Sequence, residues 1–158
     1  MNNIIILQAR LNSKRLPKKV LMEINGHPLI VIAARRVKMS EASLLVVIPK
    51  SKSNDELAKK LELFKISYFR GEEKNVLKRF INATKNFQND TNIIRLTSDN
   101  IFPDKNLIRE MLNYFNKKKP DLLTSTHIDS GLPYGCSVEI FKLKLLRKVN
   151  NETKDPQD

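Results

Sequence analysis

The chain has 158 residues, of which 41% are hydrophobic, so it is the size of one domain and can bury a core. No apolar run approaches the roughly 20 residues that cross a bilayer, and the N-terminus lacks the charged start, apolar middle and cleavage site of a signal peptide. The sequence therefore predicts a cytoplasmic protein that does not enter a membrane, and its single cysteine, Cys136, excludes a cysteine-rich zinc site.

The net charge of +12 favours an anionic ligand, and nucleic acids are one class of such ligands. Lysines, however, are spread over nearly every segment, and the chain lacks a basic stripe studded with aromatic residues on which bases could stack. The sequence therefore predicts no nucleic-acid partner.

Short apolar runs alternate with segments of helical periodicity along the chain. Strands are predicted at 4–7, 44–48, 66–69, 92–97 and 121–126. Helices are predicted at 29–39, 53–63, 72–87 and 104–118, with a turn at 25–28 and with 53–55 capping the second helix. Strands that alternate with helices need crossover connections, which predicts an α/β fold with three layers, α/β/α, around a mostly parallel, Rossmann-like sheet.

A cationic loop follows the first predicted strand. Five cations fall within ten residues: Arg10, Lys14, Arg15, Lys18 and Lys19. Because ligands of parallel α/β sheets bind outside the carboxyl ends of the strands, this loop could receive polyphosphate oxygens through its cations and N–H groups. The residues alone leave a solvated basic turn as the alternative.

Other polar residues stand near the ends of later predicted strands. Asp99 follows the fourth strand, where a carboxylate serves either as a cap or as a ligand for Mg²⁺. Arg70 and Gly71 follow the third strand; a glycine there lets the backbone approach a planar base, and an ordinary turn is the alternative. Glu139 lies beyond the fifth strand and points either to solvent or into the site.

Four segments contain the motifs that are compared with a known family: QARLNSKRLPKKVL, YFRGEEKNVLKRF, IIRLTSDN and LPYGCSVEIF. They resemble QAR-x-GS-x-RLPGK-VL, VFRGSEDDVLDRY, VVRLTGDCPL and P-x-G-x-x-VE-x-F of the cytidylyltransferases that make CMP-activated sugars. The resemblance is to the spore-coat polysaccharide type and its sialate and 3-deoxy-manno-octulosonate relatives. Asn12 and Lys18 stand where the first signature has glycine, so any backbone at positive φ there carries a Cβ.

The resemblance implies a fold of the nucleotide-diphospho-sugar transferase type and transfer of CMP from CTP to a sugar acceptor, with release of pyrophosphate, for surface polysaccharide or glycoconjugate biosynthesis. It implies catalytic roles for Arg10, Lys19 and Asp99, with Asp99 holding a Mg²⁺ cofactor. The nucleotide-binding residues that it implies are Ala9, Arg10, Asn12, Ser13, Arg15, Lys19, Arg70, Gly71 and Thr97. CTP and a sugar acceptor are the implied partners, and a homodimer is a further expectation.

The final segment, NNETKDPQD, stands where members of the family continue toward a second acidic metal ligand. The resemblance therefore implies that residues 1–158 form a single nucleotidyltransferase domain without the C-terminal part of a full enzyme. The alternative function is that of a nucleotide-binding relative without catalysis.

Overall fold

A computed structural model describes residues 3–13, 15–100, 102–126, 130–133 and 135–153. The strands are β1 (Asn3–Gln8), β2 (Glu23–Ile24), β3 (His27–Pro28), β4 (Ser43–Pro49), β5 (Tyr68–Gly71), β6 (Asn92–Thr97), β7 (Leu122–Thr124) and β8 (Glu139–Lys142). The helices are α1 (Leu29–Val37), α2 (Asp55–Leu63), α3 (Val76–Ala83), α4 (Lys105–Lys118) and α5 (Leu143–Glu152). Within these ranges no helix is long and apolar enough to cross a membrane.

Six strands form one sheet in the order β5-β4-β1-β6-β8-β7. The pairs β4–β5, β1–β4 and β1–β6 are parallel, whereas β8 pairs antiparallel with both β6 and β7. The predicted mostly parallel sheet is therefore confirmed, with β8 as the antiparallel strand. The chain runs from β1 out to β5 and returns to the other side of β1 at β6, so the strand order reverses between β1 and β6.

Helices cover both faces of this sheet, because alternate residues of a strand point to opposite faces. Ile5 and Leu7 of β1 belong to a core cluster with α1, α2 and α4. Ile4 and Ile6 belong to a second cluster with α3 and α5. All four side chains are buried, which explains why β1 is a continuous apolar run and confirms the three-layer architecture.

Several element bounds differ from prediction, and local contacts explain two of them. Lys65 takes a left-handed conformation with φ 55° after α2 and Ile66 N–H bonds back to the Leu61 carbonyl, so β5 begins only at Tyr68. The third helix is shorter than predicted because the Asn75 side chain caps it by accepting the Lys78 N–H at 2.7 Å. The helix α5, which continues directly from β8, was not predicted.

Asn54 is the N-cap residue of α2, within the predicted cap, but its side chain makes no capping hydrogen bond. Its side chain is completely buried, and its Oδ1 accepts the main-chain N–H of Leu11 at 3.0 Å, while its Nδ2 donates to Ser51 Oγ at 2.9 Å. Asn54 therefore connects the start of α2 to the loop after β1, and local sequence gave no sign of this long-range bond.

Candidate functional site

A pocket of about 340 Å³ lies where the strand order reverses, beyond the carboxyl ends of β1 and β6. Two bonds hold these strand ends beside each other and beside β4: the Ser98 N–H donates to the Gln8 carbonyl at 2.9 Å, and the Ala9 N–H donates to the Val47 carbonyl at 3.1 Å. The lining residues are Gln8, Ala9, Arg10, Ser13, Arg15, Lys19, Val20, Val76, Thr97, Ser98 and Asp99. Seven predicted site residues thus share one pocket: Ala9, Arg10, Ser13, Arg15, Lys19, Thr97 and Asp99.

The loop after β1 folds around Leu11, which is buried although its neighbours Arg10 and Asn12 are exposed. The Leu11 carbonyl accepts the N–H groups of Ser13 at 2.8 Å and Lys18 at 3.1 Å, and its own N–H is bound by Asn54. An apolar side chain within a cationic loop therefore anchors it to the core. Of the two neighbours of Leu11, Arg10 lines the pocket and Asn12 is exposed to solvent.

The two positions where the signature has glycine behave differently. Lys18 has φ 56°, a left-handed conformation that is costly for a residue with a Cβ. Its ammonium lies 2.6 Å from the exposed carboxylate of Glu56. Asn12 is not among the described residues with positive φ, and its side chain donates to Ser53 Oγ at 3.1 Å. The expected strain is therefore found at Lys18 and not at Asn12.

Lys19 and Asp99 form an ion pair inside the pocket, with Nζ 2.9 Å from Oδ2. Partial burial raises the pKa of the Asp99 carboxyl, but hydrogen bonds from Thr97 and Lys19 outweigh this effect, so the pKa lies below its ordinary value. Asp99 is therefore ionised at neutral pH. Two residues 80 positions apart in sequence thus meet as a cation and a carboxylate at the same strand ends.

The pocket has an excess of positive charge. Among its described lining residues Arg10, Arg15 and Lys19 carry three positive charges and Asp99 carries one negative charge, which leaves two positive charges without an anionic partner in the lining. Lys14 lies outside the described residues. Such a pocket attracts a polyanion.

Three predicted nucleotide-binding residues do not line this pocket: Asn12, Arg70 and Gly71. Arg70 is the penultimate residue of β5 and bonds to Asp55 at 2.5 Å and to the carbonyls of Lys50 and Ser51, so it holds the connection between β4 and α2. Gly71 is buried, and a Cβ there would lie 2.8 Å from Arg79 Cγ and 2.8 Å from Phe69 Cε1. Side chains of the protein occupy the space over this glycine.

Arg79 turns into the protein from α3 and bonds to main-chain carbonyls. Its side chain is buried, and its Nη1 donates to the main-chain carbonyls of Glu72 at 2.7 Å and Glu73 at 3.3 Å. The residues between β5 and α3 are therefore fixed by a guanidinium from within α3.

A second cleft, of about 430 Å³, adjoins the first and shares Gln8 and Val76 with it. Its polar end contains an ion pair between Arg95 and Glu139 at 2.6 Å, and Arg95 also donates to Gln8 Oε1 at 3.3 Å. Its walls come from α3, α5 and β8 and are mainly apolar: Val76, Leu77, Phe80, Phe141, Leu145, Leu146 and Val149. Glu139 therefore faces this cleft and is bound by Arg95.

A family model described as cytidylyltransferase matches residues 4–157. The chain belongs to the cytidylyltransferase family. It is 34% identical to the spore coat polysaccharide biosynthesis protein SpsF of Bacillus subtilis over 144 residues, which are 85% of this chain and 53% of that protein. It is also 34% identical to the 3-deoxy-manno-octulosonate cytidylyltransferase of Wigglesworthia glossinidia brevipalpis over 162 residues, with 94% of this chain and 60% of the relative covered.

Comparison with solved structures also finds a cytidylyltransferase. A cytidylyltransferase structure from Leptospira borgpetersenii superposes with a TM-score of 0.85 and 26% identity, covering 99% of this chain and 66% of that chain. The cytidylyltransferase relatives are longer: the chain spans 53% and 60% of the two curated relatives described above.

The oxygen donors of the pocket suit the metal that the family resemblance implies. Asp99 is ionised and accepts a hydrogen bond from Thr97. Mg²⁺ prefers oxygen ligands and is commonly held by one or two carboxylates together with substrate phosphates. No cluster of three or more His, Cys, Asp or Glu side chains with metal-binding geometry occurs among the described residues.

Four lining residues were not predicted as site residues: Gln8, Val20, Val76 and Ser98. Gln8 and Ser98 are strand-end residues, and the rule that ligands lie at strand ends could have identified them. Val76 could not be found this way, because its position depends on where α3 begins.

Proposed function

We propose that the protein transfers CMP from CTP to a sugar acceptor. The observation that supports this most directly is the cationic pocket at the reversal of strand order, in a chain of the cytidylyltransferase family. An acceptor hydroxyl oxygen attacks the α-phosphorus of CTP, the bond from that phosphorus to the bridging oxygen breaks, and pyrophosphate leaves with both bonding electrons. The hydroxyl proton passes to solvent.

The chain's own residues position and neutralise the triphosphate. Arg10, Arg15 and Lys19 bind its oxygens and stabilise the charge that grows on pyrophosphate as it leaves, and the Ser13 hydroxyl adds a neutral donor. Asp99 would hold Mg²⁺, which when bound supplies Lewis-acid charge neutralisation at phosphate oxygens. Because Lys19 contacts Asp99 at 2.9 Å, nucleotide binding exchanges this contact for one between Lys19 and phosphate.

The adjoining cleft is where we place the acceptor. It shares Gln8 and Val76 with the nucleotide pocket, so an acceptor there would be next to the reacting phosphate. Arg95, Glu139 and Gln8 offer hydrogen-bonding groups for hydroxyls, and the apolar walls suit the carbon face of a sugar ring. The names of the relatives indicate sugars of surface polysaccharides, including 3-deoxy-manno-octulosonate, as first acceptors to test.

Pyrophosphate release from CTP, Mg²⁺ and a panel of sugar acceptors tests this function. We expect release that depends on an acceptor, and a loss of at least about a hundredfold in the Lys19→Met variant, since a cation that stabilises the developing charge is removed. Lys59→Met is the matched control, because Lys59 is exposed on α2 and lies outside the pocket lining. CTP binding without pyrophosphate release for every acceptor would contradict the proposal and would indicate a binding protein without catalysis.

A further inference from the structure

Arg79 is the largest fully buried side chain among the described residues, with only 2% of its surface exposed. Its Nη1 donates to the carbonyls of Glu72 and Glu73, whereas its Nε has no hydrogen-bond partner among the described residues. A buried guanidinium with one unpartnered N–H is costly, because a buried polar group without a partner loses its hydration without compensation.

The charged groups near Arg79 do not fully neutralise its positive charge. Burial lowers the pKa of the guanidinium, the nearby charge of Arg10 lowers it further, and Glu73 offsets this only in part. No salt bridge joins Arg79 to a carboxylate within the described part of the chain. Stability alone does not explain this arrangement, since apolar residues commonly replace buried charges without a loss of stability.

The Arg79 side chain packs directly against Gly71. The Cβ and Cγ atoms of Arg79 would lie 3.3 Å and 2.8 Å from a Cβ at position 71, so the side chain can run across this position only because the residue is glycine. On the other side, the Lys50 N–H donates to the Gly71 carbonyl at 2.8 Å and the Lys50 ammonium lies 2.9 Å from the Glu72 carboxylate. Residues 71–75, here called the 71–75 turn, are thus held from two directions.

The 71–75 turn leads directly into the pocket. Val76, the first residue of α3, follows the turn and lines the pocket with Gln8 and Ala9, which are neutral. The three cations of the lining, Arg10, Arg15 and Lys19, all belong to the loop after β1. This neutral part of the lining suits a base and ribose better than it suits phosphates, and its position depends on the turn.

We propose that Arg79 is a positioning residue that fixes the 71–75 turn and thereby the wall of the pocket against which the nucleoside part of CTP binds. This inference rests on the proposed function, because it assumes that the pocket binds CTP. It assigns to Arg79 no contact with the phosphates. It also gives a reason for Gly71 that the sequence did not indicate, namely space for the Arg79 side chain.

Calorimetric titration with CTP and with inorganic tripolyphosphate separates the nucleoside part from the phosphate part. Two variants keep the positive charge: Arg79→Lys, whose side chain is one atom shorter so that its ammonium does not reach the position of Nη1, and Gly71→Ala, whose Cβ displaces the Arg79 side chain. In both we expect the Kd for CTP to rise about tenfold or more, as for the loss of a charge-assisted hydrogen bond, with tripolyphosphate binding changed less than about twofold. Lys78→Met, an exposed neighbour on α3, is the control and should change neither Kd.

Three other outcomes would contradict either the role of Arg79 or the proposed function. Variants that bind CTP as tightly as the unmodified chain, even with a lower unfolding midpoint, would overturn the role of Arg79 and leave it a structural residue. A parallel loss of CTP and tripolyphosphate binding would also overturn it, because the effect would then not be confined to the nucleoside part. An unmodified chain that binds neither ligand would contradict the proposed function itself.

Discussion

Lys18 shows how a single backbone angle limits the substitutions that the pocket loop accepts. Its φ of 56° belongs to the left-handed region that glycine enters without strain, and the family signature has glycine at this position. The Glu56 ion pair that Lys18 makes is exposed, with 63% and 51% of the two side chains accessible, so it contributes little to stability. The loop therefore has this conformation although the backbone of Lys18 is strained.

We expect the Lys18→Gly variant to be more stable than Lys18→Ala by about 1 kcal/mol, because both lose the ion pair and only alanine keeps the strained Cβ. Urea unfolding of the two variants measures the difference. The same pair of substitutions at Asn12, where φ is not positive, should give the opposite order. Equal stabilities of the two Lys18 variants would contradict a strained backbone at this position.

Lys19 and Asp99 neutralise each other in the protein without ligand. Their side chains are 26% and 43% accessible, so a polyanion can reach Lys19 from solvent. Under the proposed function, a triphosphate that bound Lys19 would leave the Asp99 carboxylate open to a metal ion, so each binding event would favour the other.

At the scale of elements, Asn54 couples the pocket loop to the helix α2. The side chain is buried and makes the Leu11 bond across 43 positions of sequence. Asn12 makes a similar connection to the same segment, but its bond to Ser53 is exposed. The two asparagines thus join the same elements with different burial.

We expect Asn54→Ala to lower the free energy of unfolding by about 2 kcal/mol, because the buried Leu11 N–H loses its acceptor. Asn12→Ala should change it by less than about 0.5 kcal/mol, since water replaces an exposed partner. Chemical unfolding of both variants tests this, and CTP affinity should fall only in Asn54→Ala. A destabilisation of similar size in both variants would mean that burial does not control the strength of this connection.

The sequence predicted the parts of the fold that repeat a local pattern. The apolar runs of β1 and β6 and the start of α4 near residue 104 are visible in the residues themselves, and the Asp104 side chain caps α4 by accepting the Asn106 and Leu107 N–H groups at 2.9 Å and 2.8 Å. The position of the pocket, at the carboxyl ends of the strands, was also predicted. The bonds of Asn54 and Arg79 were not predicted, because their partners, the Leu11 N–H and the carbonyls of Glu72 and Glu73, depend on tertiary packing.

At the scale of the whole molecule, one ion pair links the connection before β4 to α4. Arg109 Nε lies 2.8 Å from the Glu41 carboxylate, and the Glu41 carbonyl accepts the Asn3 side-chain amide at 2.9 Å. The hydrogen bond from Arg109, with further ones from its own N–H and from Ser40, lowers the pKa of Glu41 from 4.5 to about 2. The folded state therefore binds a proton at Glu41 less readily than the unfolded state does.

The stabilisation from Glu41 is fully present above its unfolded pKa of 4.5 and is lost as the pH falls toward about 2. We therefore expect Glu41→Gln to be less stable than the unmodified chain at pH 6, with a difference that shrinks between pH 4.5 and about 2. Unfolding by urea at a series of pH values measures this difference. A difference independent of pH would contradict the lowered pKa.

The charge of the whole molecule does not select its ligand. The net charge of +12 is distributed over the surface, whereas the pocket concentrates three cations and one carboxylate around about 340 Å³. Binding to surface charge would be tight for any polyanion and would fall steeply with salt concentration. Binding in the pocket would depend on the shape and the base of the ligand.

The most direct test is the unfolding midpoint of the chain with Mg²⁺ and each of CTP, UTP, ATP and GTP, because a ligand that binds only the folded state raises the midpoint. We expect the largest rise with CTP, its loss in Lys19→Met, and its retention in Lys59→Met. Equal shifts with all four nucleotides, or no shift with any of them, would contradict a CTP site at the reversal of strand order between β1 and β6.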